Sequence, residues 1–167
     1  ATQYAWAYDV TAPTISSVSL ASDNTTIAVT LSEAVYNTSS GSGSLEASDF
    51  SLSISGGTAT MSSATPSSIS ASSNTYTLGI SLSGTPDGSE VLTVVPVDDG
   101  IYDAYGNEAS TTQSNNTATL NDQTAPVITS VTSTTADGSY KSGDQINVSV
   151  NLSEDVTVTG TSQVELN

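Results

Sequence analysis

One stretch of this chain occurs twice, and that duplication limits the fold more than any other feature. Asp9-Val10-Thr11-Ala12-Pro13-Thr14-Ile15 returns as Asp122-Gln123-Thr124-Ala125-Pro126-Val127-Ile128, an offset of 113 residues (122 − 9). Self-similarity at a long fixed period marks a chain built of repeated modules. The match continues. Ser17-Val18 corresponds to Ser130-Val131, and Ile27-Ala28-Val29-Thr30-Leu31-Ser32-Glu33 corresponds to Val148-Ser149-Val150-Asn151-Leu152-Ser153-Glu154. The offset of the last pair is 121 (154 − 33), so the second copy carries eight extra residues (121 − 113). We place them in the Gly138-Ser139-Tyr140-Lys141-Ser142-Gly143 turn, because a turn can change length while the core stays fixed. The expected organisation is residues 1–8 as the terminal strand of a preceding repeat or a donor strand, residues 9–121 as one complete module, and residues 122–167 as the first part of a second.

Apolar residues alternate with small polar ones along most of the chain, the period-2 pattern of half-buried strands, and no helical period is present. Seven strands are predicted in the complete module, near 14–20, 25–32, 48–55, 58–63, 74–82, 91–97 and 115–121. Turn signals such as Ser22-Asp23-Asn24, Gly56-Gly57 and Gly84-Thr85-Pro86-Asp87-Gly88 separate them. The expected fold is all-β, an Ig-like Greek-key β-sandwich. Its inward set comprises Ile15, Val18, Leu20, Ile27, Val29, Leu31, Phe50, Leu52, Ile54, Tyr76, Leu78, Ile80, Leu92, Val94, Ala118 and Leu120. The second copy is expected to hold strands at 127–132 and 145–152 and one or two of 155–159 and 162–166. Such a piece presents an uncovered inner face, to be completed by further chain or by strand addition from another molecule.

Charge narrows the partners. The chain has 17 acidic residues, one base, no His, and a net charge of −16. Nucleic acid is excluded as a partner, since phosphate neutralisation needs Lys and Arg. Anionic membrane surfaces are excluded on the same ground, and no apolar run is long enough for membrane insertion. Divalent cations are the natural counter-charge. The plainer alternative is that the acid only keeps the surface soluble. With no His and no Cys there is no Ser-His-Asp arrangement, no thiol nucleophile and no nitrogen or sulfur for a transition metal. A Glu33–Asp103 pair could be cast as glycosidase carboxylates, but the chain lacks the aromatic-lined cleft that sugar rings usually need. The chain is read as not an enzyme. It carries no signal peptide and is read as mature or internal sequence.

Several segments together resemble the bacterial Ig-like repeats of large extracellular adhesin and matrix proteins. They are the Asp-x-Thr-Ala-Pro segments at Asp9 and Asp122, Leu31-Ser32-Glu33-Ala34-Val35 with Leu152-Ser153-Glu154-Asp155-Val156, Asp103-Ala104-Tyr105-Gly106-Asn107-Glu108, and Val158-Thr159-Gly160-Thr161. The resemblance spans nearly the whole chain. It implies an extracellular or cell-surface spacer whose partners are neighbouring Ig-like modules or copies of itself, often rigidified by calcium at module junctions.

Strand alternation gives a separate reason to expect a cation. If strands run up and down in turn, Asp9, the loop holding Glu33, and the loop from Asp98 to Glu108 meet at one pole. Asp9, Glu33, Asp98, Asp99, Asp103, Asn107 and Glu108 should then converge. Crowded carboxylates repel, and calcium, which takes 6–8 oxygen ligands, would turn the repulsion into cross-linking. At the other pole Asp87 and Glu90 should approach Asp122, and Asp122 should approach Glu154. The alternative is that Asp103 and Asn107 only build an Asx turn around Gly106 at positive φ, while Glu33 caps an edge and the Asp9 and Asp122 side chains hold Pro turns.

Tyr4, Trp6 and Tyr8 alternate with Ala5 and Ala7, so one side of that segment is aromatic. Matching Asp9 to Asp122 sets Ala7 against inward Leu120 and turns the aromatics outward, where they could contact a glycan or a partner. The reverse register buries them. Five Asn-x-Ser/Thr sequons, at Asn24, Asn37, Asn115, Asn147 and Asn151, are no more than a Ser/Thr-rich chain contains by chance. The function expected is a structural or adhesive repeat. The alternatives are a self-assembling filament subunit that uses strand exchange and a carbohydrate-binding accessory domain.

Overall fold

A computed structural model describes residues 8–161 and 163. The chain divides into two compact units, one ending at Gln123 and one beginning at Thr124. The protein is nearly all-β, and no described helix is long and apolar enough to cross a membrane.

In the first unit β1 (Ile15–Leu20), β2 (Thr26–Leu31), β5 (Ile69–Ser72) and β6 (Thr75–Gly79) form an antiparallel sheet in the order β1-β2-β6-β5. A second antiparallel sheet, in the order β3-β8-β9, contains β3 (Phe50–Ser55), β8 (Val91–Pro96) and β9 (Thr117–Thr119). β4 (Thr60–Met61) and β7 (Leu82–Ser83) pair separately. The two larger sheets share one core. Ile27 and Val29 of β2 and Leu78 of β6 are fully buried with Leu52 of β3 and Leu92 and Val94 of β8. Phe50 of β3 and Tyr76 of β6 bring their rings to 6.0 Å at a 44° tilt, joining the sheets through an aromatic pair. Alternation is why this works: β2 and β8 both alternate strictly between half-buried and buried residues, so each gives one face to the core.

The expected inward set lies in or against this core, with Val18, Leu20, Ile54 and Ala118 half-buried at its margin. Val35, Leu45, Ala59, Ile101 and Ala109 are also buried, and all lie in connections. Several strand assignments need correction, among them 115–121, which shortens to Thr117–Thr119. Residues 47–49 form a 3-10 turn, so the strand expected from 48 starts at Phe50. The strand expected at 58–63 shrinks to two residues, and 74–82 breaks between Gly79 and Leu82. β5 was not foreseen. It is an edge strand with one half-buried apolar residue, Ile69, so it shows no alternation to read.

The second unit contains a hairpin of β10 (Ile128–Ser133) and β11 (Val148–Leu152). It repeats the β1–β2 hairpin in register. Ile15 faces Leu31 and Ile128 faces Leu152; Val18 faces Val29 and Val131 faces Val150. The irregularity between Ile15 and Ser17 recurs between Ile128 and Ser130. Even the closing bonds agree. The Ser32 N–H donates to the Thr14 carbonyl at 2.8 Å and the Ser153 N–H to the Val127 carbonyl at 2.9 Å. The Thr14 and Val127 N–H groups each donate to the Oγ of the opposite serine, both at 3.0 Å. Leu20 pairs with Ile27 and Ser133 with Val148, which confines the extra residues to the turn. No strand forms at 155–159, and the strand expected at 162–166 lies outside the described residues apart from Gln163.

Every described strand is free of charged residues. All the described carboxylates therefore sit in the connections, and that placement positions the site.

Candidate metal centre

Three connections meet at one end of the first unit, and backbone bonds draw them together. Reciprocal bonds between Ser32 and Thr14 fix the loop after β2 beside the segment that follows Asp9. Paired bonds at 2.7 and 2.8 Å join Tyr36 to Tyr102, tying the same loop to the 97–109 connection. The Asn107 Nδ2 donates to the Asp9 carbonyl at 3.1 Å and closes the circuit. Asp9, Glu33 and Asp103 consequently each place a carboxylate oxygen within 4.8 Å of the others.

Asp103 is fully buried and built into a turn. Its Oδ1 accepts the N–H groups of Tyr105 and Asn107, both at 2.8 Å, and its Oδ2 accepts the Asn107 Nδ2 at 2.7 Å. Gly106 supplies the positive φ of 87° that this turn needs, and a Cβ there would meet the Ser39 carbonyl at 2.7 Å. The Asx turn around Gly106 is thus present, and the carboxylate cluster is present with it. Burial pushes the Asp103 carboxyl upward, but the bonds from Asn107, Tyr105 and Gly106 outweigh it and hold the group below its ordinary range. Glu33 moves the other way. Partial desolvation, then the charges of Asp103 and Asp9, raise its pKa. One carboxylate is held ionised while its neighbour resists ionisation. An added cation would relieve that conflict.

Like charges at this spacing repel by about 3 kcal/mol per pair at an effective dielectric near 20, less where solvent screens them. The donors are all oxygen, which suits calcium or magnesium and not zinc or copper. The Thr11 N–H holds the Asp9 Oδ1 at 2.9 Å, so two of the three carboxylates are oriented by the protein's own donors.

The remaining expected residues fall elsewhere. Asn107 supports the trio through its amide. Asp99 stands outside it: at a φ of 59° in the turn after β8, its Oδ1 accepts the Tyr102 hydroxyl at 2.9 Å while its N–H donates to Glu108 Oε1 at 2.7 Å. The Asp99–Tyr102 bond is the main reason the Tyr102 pKa rises to about 12. Asp98 and Glu108 likewise do not join the trio. Tyr105, two residues after Asp103, is 60% exposed. Asp122 is an exposed residue where the first unit ends, beside Gly88. The 86–90 turn does reach that segment, through the Gln123 N–H to the Pro86 carbonyl at 2.9 Å. Glu154 follows β11 as Glu33 follows β2. Tyr8 is exposed, while Tyr4 and Trp6 lie outside the described residues.

Glu90, expected to approach Asp122, is wholly buried. Its Oε1 accepts the N–H groups of Thr58 at 2.9 Å and Ala59 at 2.8 Å, and its Oε2 those of Asp87 and Gly88, both at 3.1 Å. Gly57 makes room, since a Cβ there would lie 2.2 Å from the Glu90 carboxyl carbon. The readable signal was Gly56-Gly57 opposite Asp87-Gly88-Ser89-Glu90, two glycine turns flanking one acid.

Comparison of the chain with protein-family models, curated proteins and solved structures returns no match.

Proposed function

We propose that this chain is a non-catalytic structural module of a secreted or cell-surface repeat protein, an Ig-like Greek-key sandwich stiffened by calcium at Asp9, Glu33 and Asp103. The observation that carries the reading is the duplicated hairpin. Two segments of one chain adopt the same register, the same irregularity and the same serine closure, as units of a serial array do. The acidic trio adds a reason for stiffness. Asp9 opens the module, so a cation held there fixes the direction in which the chain arrives. Its counterpart Asp122 opens the next copy and Glu154 corresponds to Glu33, so the pattern recurs with the repeat.

Thermal melting in calcium and in chelator tests the site. Extracellular modules bind calcium with dissociation constants of about 0.1–1 mM. Ligand at about 100 times the dissociation constant adds about 2.7 kcal/mol to a native state that alone binds it. Calcium should raise the melting temperature, and Glu33→Gln should abolish most of the rise while leaving the chelated protein folded. Equal melting temperatures in calcium and in chelator would remove calcium from the proposal.

A further inference from the structure

The first and last strands of the first unit lie side by side. Where β1 begins, the Ile15 N–H donates to the Gln113 Oε1 at 2.8 Å. Past the far end of β1, Asn24 and Asn121 exchange bonds. The Asn24 Nδ2 donates to the Asn121 carbonyl at 2.8 Å, and the Asn24 Oδ1 accepts the Asn121 N–H at 2.9 Å and its Nδ2 at 3.0 Å. The Asn121 Nδ2 also reaches the Ala21 carbonyl at 3.2 Å. Contact advances from 15 to 24 along one segment as it advances from 113 to 121 along the other, so β1 and β9 run in the same direction. They are edge strands of different sheets, β1 pairing with β2 and β9 with β8. Among the described residues no backbone hydrogen bond joins residues 15–24 to 113–121. The hydrogen bonds across this seam all use side-chain amides.

That geometry governs how the unit answers tension. A pull on the chain before β1 draws β1 back along its axis, and a pull on the chain after β9 draws β9 forward along its own. Parallel neighbours loaded this way slide past one another, and every bond between them is strained at once instead of in succession. The ladder of β9 is short. It joins β8 through three residue pairs, whereas β1–β2 and β2–β6 have five each and β3–β8 has six. The amides are also sheltered: Asn24 is 3% exposed, so water competes poorly for its bonds. We infer that this seam is a force-bearing latch, in which Asn24 and Asn121 at one end and Gln113 at the other keep β1 and β9 from sliding when the chain is stretched. The inference goes beyond the calcium-stiffened module and needs neither the cation nor the cell surface.

Single-molecule force spectroscopy on the full 167-residue chain tests it, in chelator so that the cation plays no part. The chain has no cysteine, so Val10→Cys and Ala125→Cys, at two exposed positions, attach the handles. Asn24→Gly removes the latch side chain and keeps the turn, because Gly adopts the φ of 58° freely. Pulled through positions 10 and 125, it should unfold about tenfold faster than the parent at the same force. A second pair of handles, on Ser53→Cys and Ser70→Cys, grips exposed positions of β3 and β5, the sheet edges away from the seam. Through these handles the same substitution should change the rate by less than about threefold. Gln113→Ala, at the other end of the seam, should reproduce the contrast and decides the matter if Asn24→Gly does not fold. An unchanged rate through positions 10 and 125 would overturn the inference. So would equal acceleration through both pairs of handles, since the amides would then stabilise the unit without carrying its load.

Discussion

Glu90 is a carboxylate that the backbone has enclosed. Burial alone would raise its pKa, yet N–H donors from Ala59, Asp87 and Thr58 hold it near 2. A group whose folded pKa lies below its ordinary 4.5 contributes stability that is complete above that value and is lost as pH falls toward 2. Glu90→Gln should therefore lower the urea midpoint at pH 7, and the gap from wild type should narrow steadily below pH 4.5. An equal gap at neutral and strongly acid pH would contradict the assignment. Glu33 has the opposite sign. Its raised pKa means that ionisation costs the folded state, so cation-free protein should lose some stability as pH rises through the range just above 4.5. Calcium should remove that loss, and Glu33→Gln should remove it without calcium; midpoints across pH 4 to 7 with and without calcium read both effects.

The elements are held by a few side-chain amides as well as by their ladders. Asn24 is buried in the β1–β2 turn at a φ of 58°, a left-handed position that Asn tolerates. Its Nδ2 donates to the Asn121 carbonyl at 2.8 Å and its Oδ1 accepts the Asn121 N–H at 2.9 Å, clamping the first turn to the chain after β9. Asn24→Ala should cost about 1–3 kcal/mol by stranding a buried partner, measured by chemical denaturation; an unchanged midpoint would show that water replaces the clamp. At this scale the sequence was legible where alternation was strong, as in β2 and β8. It was silent at β5, whose Ser-rich edge carries one apolar side chain. It was also silent on Val35 and Ile101, buried by the Tyr36–Tyr102 bonds between loops distant in sequence.

Among the described residues, charged side chains are kept out of the strands. Strands carry aliphatics inward and hydroxyl-bearing residues outward, and connections carry the acid. Because one cluster of side chains serves both sheets, a cavity in it should be felt by the whole first unit. Leu92→Ala removes a fully buried residue of β8 and should cost about 2–5 kcal/mol, with a single cooperative loss of that unit's signal. Stepwise melting of the two sheets would mean that the core is not shared.

By itself the sequence determined the all-β class, the inward residues and the repeat, because each depends on local alternation or on direct comparison of two segments. It also brought Asp9, Glu33 and Asp103 to one end, since strand direction reverses at every turn. Only the tertiary structure decided which acids gather at one point and which turn away to other partners. Asp99 turns to Tyr102, and Glu90 is enclosed by four backbone N–H groups. The Tyr102, Asp87 and Gly88 bonds are local turn contacts, and those of Thr58 and Ala59 span 32 and 31 residues. In neither case does a period in the chain record which way the carboxylate turns.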